Sequence, residues 1–255
     1  MPEKYALALG SGAHKGYVHI GVIKALEKLG IEITHISGSS VGSIVGALYA
    51  LNKDIKKVEE IALGLNKDEI NSIVSSYVNK FSLKGNNDPL LFFIQGLVND
   101  ASFSDCEIPF VAVSVDLNTG NKIFHREGQL KHALRASCSV SYLFGAYEYE
   151  NKFLIDGGYA DAVPVDAVKS IGGDKVIGVC LESYSDQNPD KRSYLNAQSA
   201  TYKATLYNIA KEDMRKADKK IFFDLGSVSV NDVLEDKKKY IDIGYNQTIK
   251  MFDGI

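Results

Sequence analysis

Tyr5 to Leu9 is a short apolar run with the pattern of a buried strand, and it opens into the loop Gly10-Ser11-Gly12-Ala13-His14-Lys15-Gly16. Beyond that loop Val18, Val22, Ile23, Leu26 and Leu29 recur at helical spacing, and Gly30 stands where a helix stop belongs. Ile31 to Ser37 predicts a second strand and Val41 to Leu51 a second helix. Strand, helix, strand, helix in that order predicts a parallel sheet with right-handed crossovers. In such sheets the loops at the strand C-terminal ends share one crevice, so loop 10–16 and the turn before Val41 are expected to face each other.

The pattern loosens after residue 52. Lys53 to Leu65 and Lys67 to Lys80 read as amphipathic helices, and Gly85 to Pro89 is a cluster of breakers. Leu90 to Val98 is almost wholly apolar but too short to span a bilayer. It fits either a core helix or one that covers a crevice and dips into a lipid interface. Pro109 to Val115, a turn at Asn118-Thr119-Gly120 and Lys122 to His125 predict a hairpin; Gln129 to Ser137 predicts a helix. A second hairpin, Ala146 to Leu154 with Glu150 and Asn151 at its turn, leads into Ile155-Asp156-Gly157-Gly158. The last third reads as supporting structure: helices over 165–170, 197–219 and 240–252, strands over 175–181 and 221–224, and a polar loop over 182–190.

Composition narrows the class. A chain of 255 residues with 45% hydrophobic content is expected to form a single domain, 1–255, around one large core. Its net charge of −3 offers no broad basic field for nucleic acid. Cys106, Cys138 and Cys180 lack Cys-x-x-Cys spacing, which suits a reducing compartment and gives no reason to expect a metal. With neither a leader-like segment at its start nor a membrane-spanning run, the chain reads as cytoplasmic; transient contact with a membrane surface is compatible with this, and the oligomeric state is open.

The chemistry-bearing turn is Gly38-Ser39-Ser40-Val41-Gly42, a Gly-x-Ser-x-Gly between a strand and a helix. That arrangement is a nucleophile elbow, with Ser40 as the candidate nucleophile, because small residues on either side leave room for a sharp turn that lifts the hydroxyl clear. The loop at 10–16 departs from the dinucleotide fingerprint, its third glycine coming one place late, with Ser37 rather than an acid closing the second strand. Its backbone N–H groups at a helix start suit an oxyanion hole instead. Lys15 either extends to solvent or adds positive charge near such an oxyanion. All five histidines, His14, His19, His35, His125 and His132, precede Asp156, so the Ser-acid-His order is not available with that acid. The base for Ser40 is therefore an out-of-order histidine or a carboxylate acting directly, which is workable for an ester with its good alkoxide leaving group.

In three motifs, taken in order, the chain resembles the patatin-like phospholipases, in particular the bacterial group similar to the catalytic domain of neuropathy target esterase. The family's Gly-Gly-Gly-x-Arg/Lys-Gly lies over Ser11, Gly12, Ala13, His14, Lys15 and Gly16, its elbow over Gly38 to Gly42, and its Asp-Gly-Gly/Ala over Asp156, Gly157 and Gly158. His19 to Val22 and Arg135-Ala136-Ser137 also resemble it. The resemblance covers about residues 5–170, with 171–255 completing the fold, and implies a three-layer α/β fold with a mainly parallel sheet. It implies a Ser40–Asp156 dyad, oxyanion donors at Gly12 and Ala13, no cofactor and no metal. The substrate it implies is an acyl ester of a phospholipid or lysophospholipid; a weakly active lipid-binding protein and an acyltransferase are the alternatives. Ser11 and Ala13 replace two motif glycines, and Ser141 and Asp161 stand where relatives tend to have proline and asparagine. A carboxylate at 161 raises the pKa of Asp156 if the two are close.

Overall fold

The structure, a computed structural model, describes residues 3–78, 88–183, 193–226 and 228–252. The end of the predicted helix at 79–80, the breaker residues 85–87 and the loop residues 184–190 lie outside the described residues. In chain order the elements are β1 (Lys4–Leu9), α1 (Tyr17–Lys28), β2 (Glu32–Ser39), α2 (Val41–Asn52), α3 (Ile55–Gly64), α4 (Lys67–Val78) and α5 (Pro89–Val98). There follow β3 (Phe110–Asp116), β4 (Lys122–His125), α6 (Leu130–Ser137), α7 (Ser141–Phe144), β5 (Tyr147–Tyr149) and β6 (Lys152–Asp156). The chain closes with α8 (Val165–Ser170), β7 (Val176–Cys180), α9 (Tyr194–Arg215), β8 (Lys219–Phe222), α10 (Val230–Glu235) and α11 (Lys237–Phe252).

Five strands, β3, β2, β1, β7 and β8, run parallel in that spatial order. Beside β3 the sheet becomes antiparallel, because β3 also pairs with β4 and with β6, and β6 pairs with β5. Strand alternation sorts the side chains between two helical layers. Leu7 and Leu9 of β1, with Ile177 and Val179 of β7, enter the larger core under α1, α2 and α11. Ala6 and Ala8, with Val176 and Cys180, face the smaller core under α8 and α9. Three layers result, helices on both faces of a mainly parallel sheet, as expected.

Local signals explain most boundaries. Gly30 takes φ 71° just past α1, the left-handed stop that glycine adopts without penalty. Glu150 and Asn151 have φ 49° and 60°, both positive as a tight hairpin turn between β5 and β6 requires. α5 forms as predicted, its N-terminus capped by the Asp88 carboxylate, which accepts Leu91 N–H at 2.9 Å. It buries Leu90, Ile94 and Val98 and leaves Phe92 54% exposed, so the apolar run is a core helix with one open face. α9 ends at Arg215, not 219, because Lys219–Phe222 pairs in parallel with β7, and sheet pairing outweighs a helical pattern at the end of a helix. α10, absent from the sequence reading, is set by a capping box between Ser229 and Asp232. No helix among the described residues is long and apolar enough to cross a membrane.

Candidate active site

Ser40 sits between the end of β2 and the start of α2 with φ 53° and ψ −129°, a conformation a serine holds only when its surroundings impose it. The motif glycines impose it. A Cβ on Gly38 would lie 2.3 Å from Ser43 Cα, and one on Gly42 2.2 Å from Leu9 O, so no side chain fits at either position. The Ser40 N–H donates to Ser137 Oγ at 3.0 Å, and the Ser40 carbonyl accepts from Ser43 N–H at 2.9 Å and Ser43 Oγ at 2.6 Å.

The three motif loops converge here. Ser11 Oγ donates to Ser39 Oγ at 3.2 Å, joining the glycine loop to the elbow. A Cβ on Gly157 would lie 2.7 Å from Ser39 Oγ, and one on Gly158 2.7 Å from Ser11 Oγ, so the Asp-Gly-Gly turn abuts both. Serine in place of the motif glycine at 11 is thus a cross-link between loops. Ala13 adopts φ 48°, the left-handed region that the missing glycine would enter freely, at a cost of about 1–2 kcal/mol. Ser11 N–H is taken by Ala162 O at 2.8 Å, whereas the Gly12 and Ala13 amides have no acceptor among the described residues. Gly12 lies against Leu181 with no space for a side chain, and Gly16 likewise against Val41. Lys15 does not extend to solvent: its Nζ donates to Leu181 O at 2.8 Å and pairs with Glu182 at 3.4 Å, tying the loop to the end of β7.

Asp156 closes β6 and is fully buried. Its N–H donates to Ser139 O at 2.9 Å, and its Oδ1 accepts Gly158 N–H at 2.8 Å; Oδ2, equally buried, makes no hydrogen bond of full geometry. Burial raises the carboxyl to about 6; the nearby Ser40 hydroxyl, the Gly158 amide and the nearby Tyr202 hydroxyl oppose that rise, and the Glu182 charge adds to it. Asp161 faces Lys122, 3.4 Å away, and the Asp213 charge, and is itself raised to about 7 by burial and then by Asp213. Burial is the largest cause of the raised basicity of Asp156.

The histidines are engaged elsewhere. His14 meets Val228 O, His19 Gly10 O, His35 Thr34 Oγ1, His125 Ser114 Oγ and His132 Tyr147 Oη, and none of these partners is Ser40. His19 is wholly buried, which lowers it to about 4, so its neutral ring donates Nε2–H to Gly10 O at 2.8 Å and anchors the glycine loop. Of the residues that hold the pair in place, Ser137 fell within a motif noticed in sequence, while Ser139, Glu182 and Tyr202 carried no local signal. α9 is more than support, since Leu206 on it packs against Gly158 of the Asp-Gly-Gly turn and the Tyr202 phenol is among the groups that act on the Asp156 carboxyl.

The profile of the Patatin-like phospholipase family matches residues 7–169. The chain is 31% identical over 178 residues, 70% of its length, to an uncharacterised NTE family protein of Mycobacterium tuberculosis, of which it covers 49%. It is 31% identical over 191 residues, 72% of its length, to the lysophospholipase nte1 of Aspergillus fumigatus, of which it covers 12%. The chain thus spans about half the length of the mycobacterial relative and far less of the fungal one. The crystal structure of VipD from Legionella pneumophila shares the fold, with a TM-score of 0.56 over 99% of this chain and 67% of that one at 15% identity.

Proposed function

The chain belongs to the patatin-like phospholipase family, and from that premise we propose that it hydrolyses acyl esters of phospholipids or lysophospholipids through a Ser40–Asp156 dyad. The observation that carries this reading is the burial of the Asp156 carboxylate where all three motif loops, Ser40's among them, meet. Asp156 takes the Ser40 proton as Oγ attacks the ester carbonyl, and the Gly12 and Ala13 N–H groups receive the oxyanion. The proton then goes to the leaving alcohol, and a water deprotonated by Asp156 releases the acyl group from Ser40. With a pKa of about 6 the base is ionised by roughly ten to one at pH 7 and is stronger than an ordinary carboxylate. Only the ionised form accepts the proton, so kcat/KM should rise with pH to a plateau, with its acid limb near 6.

Ala13 favours a second reading, a lipid-binding protein of weak activity, because its left-handed φ strains the loop that would hold the oxyanion. Covalent labelling by a fluorophosphonate, read by intact mass, separates the two. Labelling of the parent that vanishes in Ser40→Ala and falls steeply in Asp156→Asn supports the hydrolase; a folded parent that takes no label supports the lipid-binding reading.

A further inference from the structure

We propose that Tyr202 is a positioning residue of the catalytic group, its phenol donating to the Asp156 carboxylate and keeping it aimed throughout the reaction. The proposal rests on the reading of Ser40 and Asp156 as the reacting pair. A buried carboxylate oxygen without a donor is costly, and Oδ2 of Asp156 is such an oxygen, since Oδ1 already takes the Gly158 amide. The hydroxyls that act on this carboxyl are those of Ser40 and Tyr202, and the Tyr202 ring stands 4.8 Å from that of Tyr159, three residues past Asp156 in the same turn. Once Ser40 is acylated its Oγ has no proton to donate, and the phenol is then the side-chain donor left to orient the base toward the incoming water.

The surroundings of Tyr202 fit that role. Its ring is 7% exposed and packs against Tyr159 at 4.8 Å and Tyr142 at 5.9 Å between ring centroids. The other two phenols are committed elsewhere: Tyr159 Oη pairs with Ser141 Oγ at 2.7 Å, and Tyr142 is hydrogen-bonded by Ser199. One turn along α9, Leu206 lies so close to Gly158 that a Cβ there would meet it at 2.3 Å, so the helix is seated directly on the Asp-Gly-Gly turn. Burial and the Asp156 charge both hold the phenol protonated, which keeps it a donor at every working pH. The remaining groups that act on or feel the Asp156 charge are Glu182, Cys138, Tyr142 and Tyr159. Of these Glu182 is the one carboxylate, and its charge raises the base.

Tyr202→Phe keeps the ring and removes the donor, so packing and hydrogen bonding are tested apart. In the variant the acid limb of kcat/KM on a soluble chromogenic ester should move up by about one pH unit, because the ionised carboxylate has lost a stabilising partner. Deacylation should slow by about tenfold, more than acylation does, so that acyl-enzyme accumulates in the intact mass. Tyr159→Phe, which removes a neighbouring phenol bonded to Ser141, should leave the limb where it is. A folded Tyr202→Phe with the parent's acid limb and deacylation rate would overturn the proposal. Should that variant not fold, the Tyr202 Cζ resonance of tyrosine-labelled parent decides: an inflection as Asp156 titrates supports the hydrogen bond, and a flat response between pH 5 and 7 overturns it. Failure of the underlying reading looks different, since the parent would then take no fluorophosphonate at Ser40 whatever stands at 202.

Discussion

Ser137 and Ser139 lie two residues apart at the end of α6 and just beyond, and each holds one half of the proposed dyad by a hydrogen bond to its main chain. Ser137 Oγ accepts the Ser40 N–H and Ser139 O accepts the Asp156 N–H. Arg135, buried on the same segment, donates Nη1–H to Ser139 Oγ at 2.6 Å and pairs with Asp88 at 2.9 Å. Ser137→Ala would leave a buried N–H without an acceptor at a backbone already strained. Stability should fall by about 1–3 kcal/mol in urea unfolding, and fluorophosphonate labelling should slow by roughly tenfold. At this scale the sequence was legible where geometry forbids side chains. Gly38, Gly42, Gly157 and Gly158 are spaced by the steric needs of two turns, and they frame Ser40 and Asp156. Tyr202 and Ser139 sit in ordinary helical and loop contexts, where no spacing rule distinguishes a residue that faces a carboxylate from one that faces solvent.

Among the elements, the first β-α-β-α unit was legible almost to the residue because its apolar periods are unbroken and Gly30 ends α1. The pairing of β6 with β3 was not, since an antiparallel return after an intervening hairpin strand and two helices leaves no mark in local pattern. Nor was the contact of α1 with α11, which is made by two glycines. A Cβ on Gly21 would lie 1.9 Å from Ile241 O, and one on Gly244 2.2 Å from Val18 O, so the two helices cross backbone to backbone. Gly244→Ala must push them apart. The expected cost is about 1–3 kcal/mol, read as a lower Tm, with the labelling rate of the folded fraction unchanged because the crossing lies away from the dyad.

For the whole molecule, buried carboxyls give stability an unusual dependence on pH. Asp161 has both oxygens buried without a full hydrogen bond; it is raised to about 7, and Asp213 is raised beside it, burial leading in both. Both therefore bind protons more tightly in the native state than in the unfolded chain, whose aspartates titrate near 4. Their contribution is complete below about pH 4 and is lost as pH rises toward 7, because burial outweighs the Lys122 and Lys216 partners that would pull an acid the other way. The urea midpoint should be higher at pH 5 than at pH 8. Asp161→Asn should flatten that slope and gain on the order of 1–3 kcal/mol at pH 8, with little change at pH 5. The fork at β3, which pairs with β2, β4 and β6 together, has a consequence in time as well as in space. The elbow is framed by strands and helices within residues 4–52, whose pairings close short loops, and is finished by β3 beside β2 and by Ser137 Oγ on the Ser40 N–H. Its proposed proton acceptor, Asp156, joins only when the β3–β6 seam forms, from more than a hundred residues further on. On that proposal, a chain that has closed only its local pairings holds a serine with nothing to deprotonate it, and the fold keeps its reactive centre idle until assembly is nearly done.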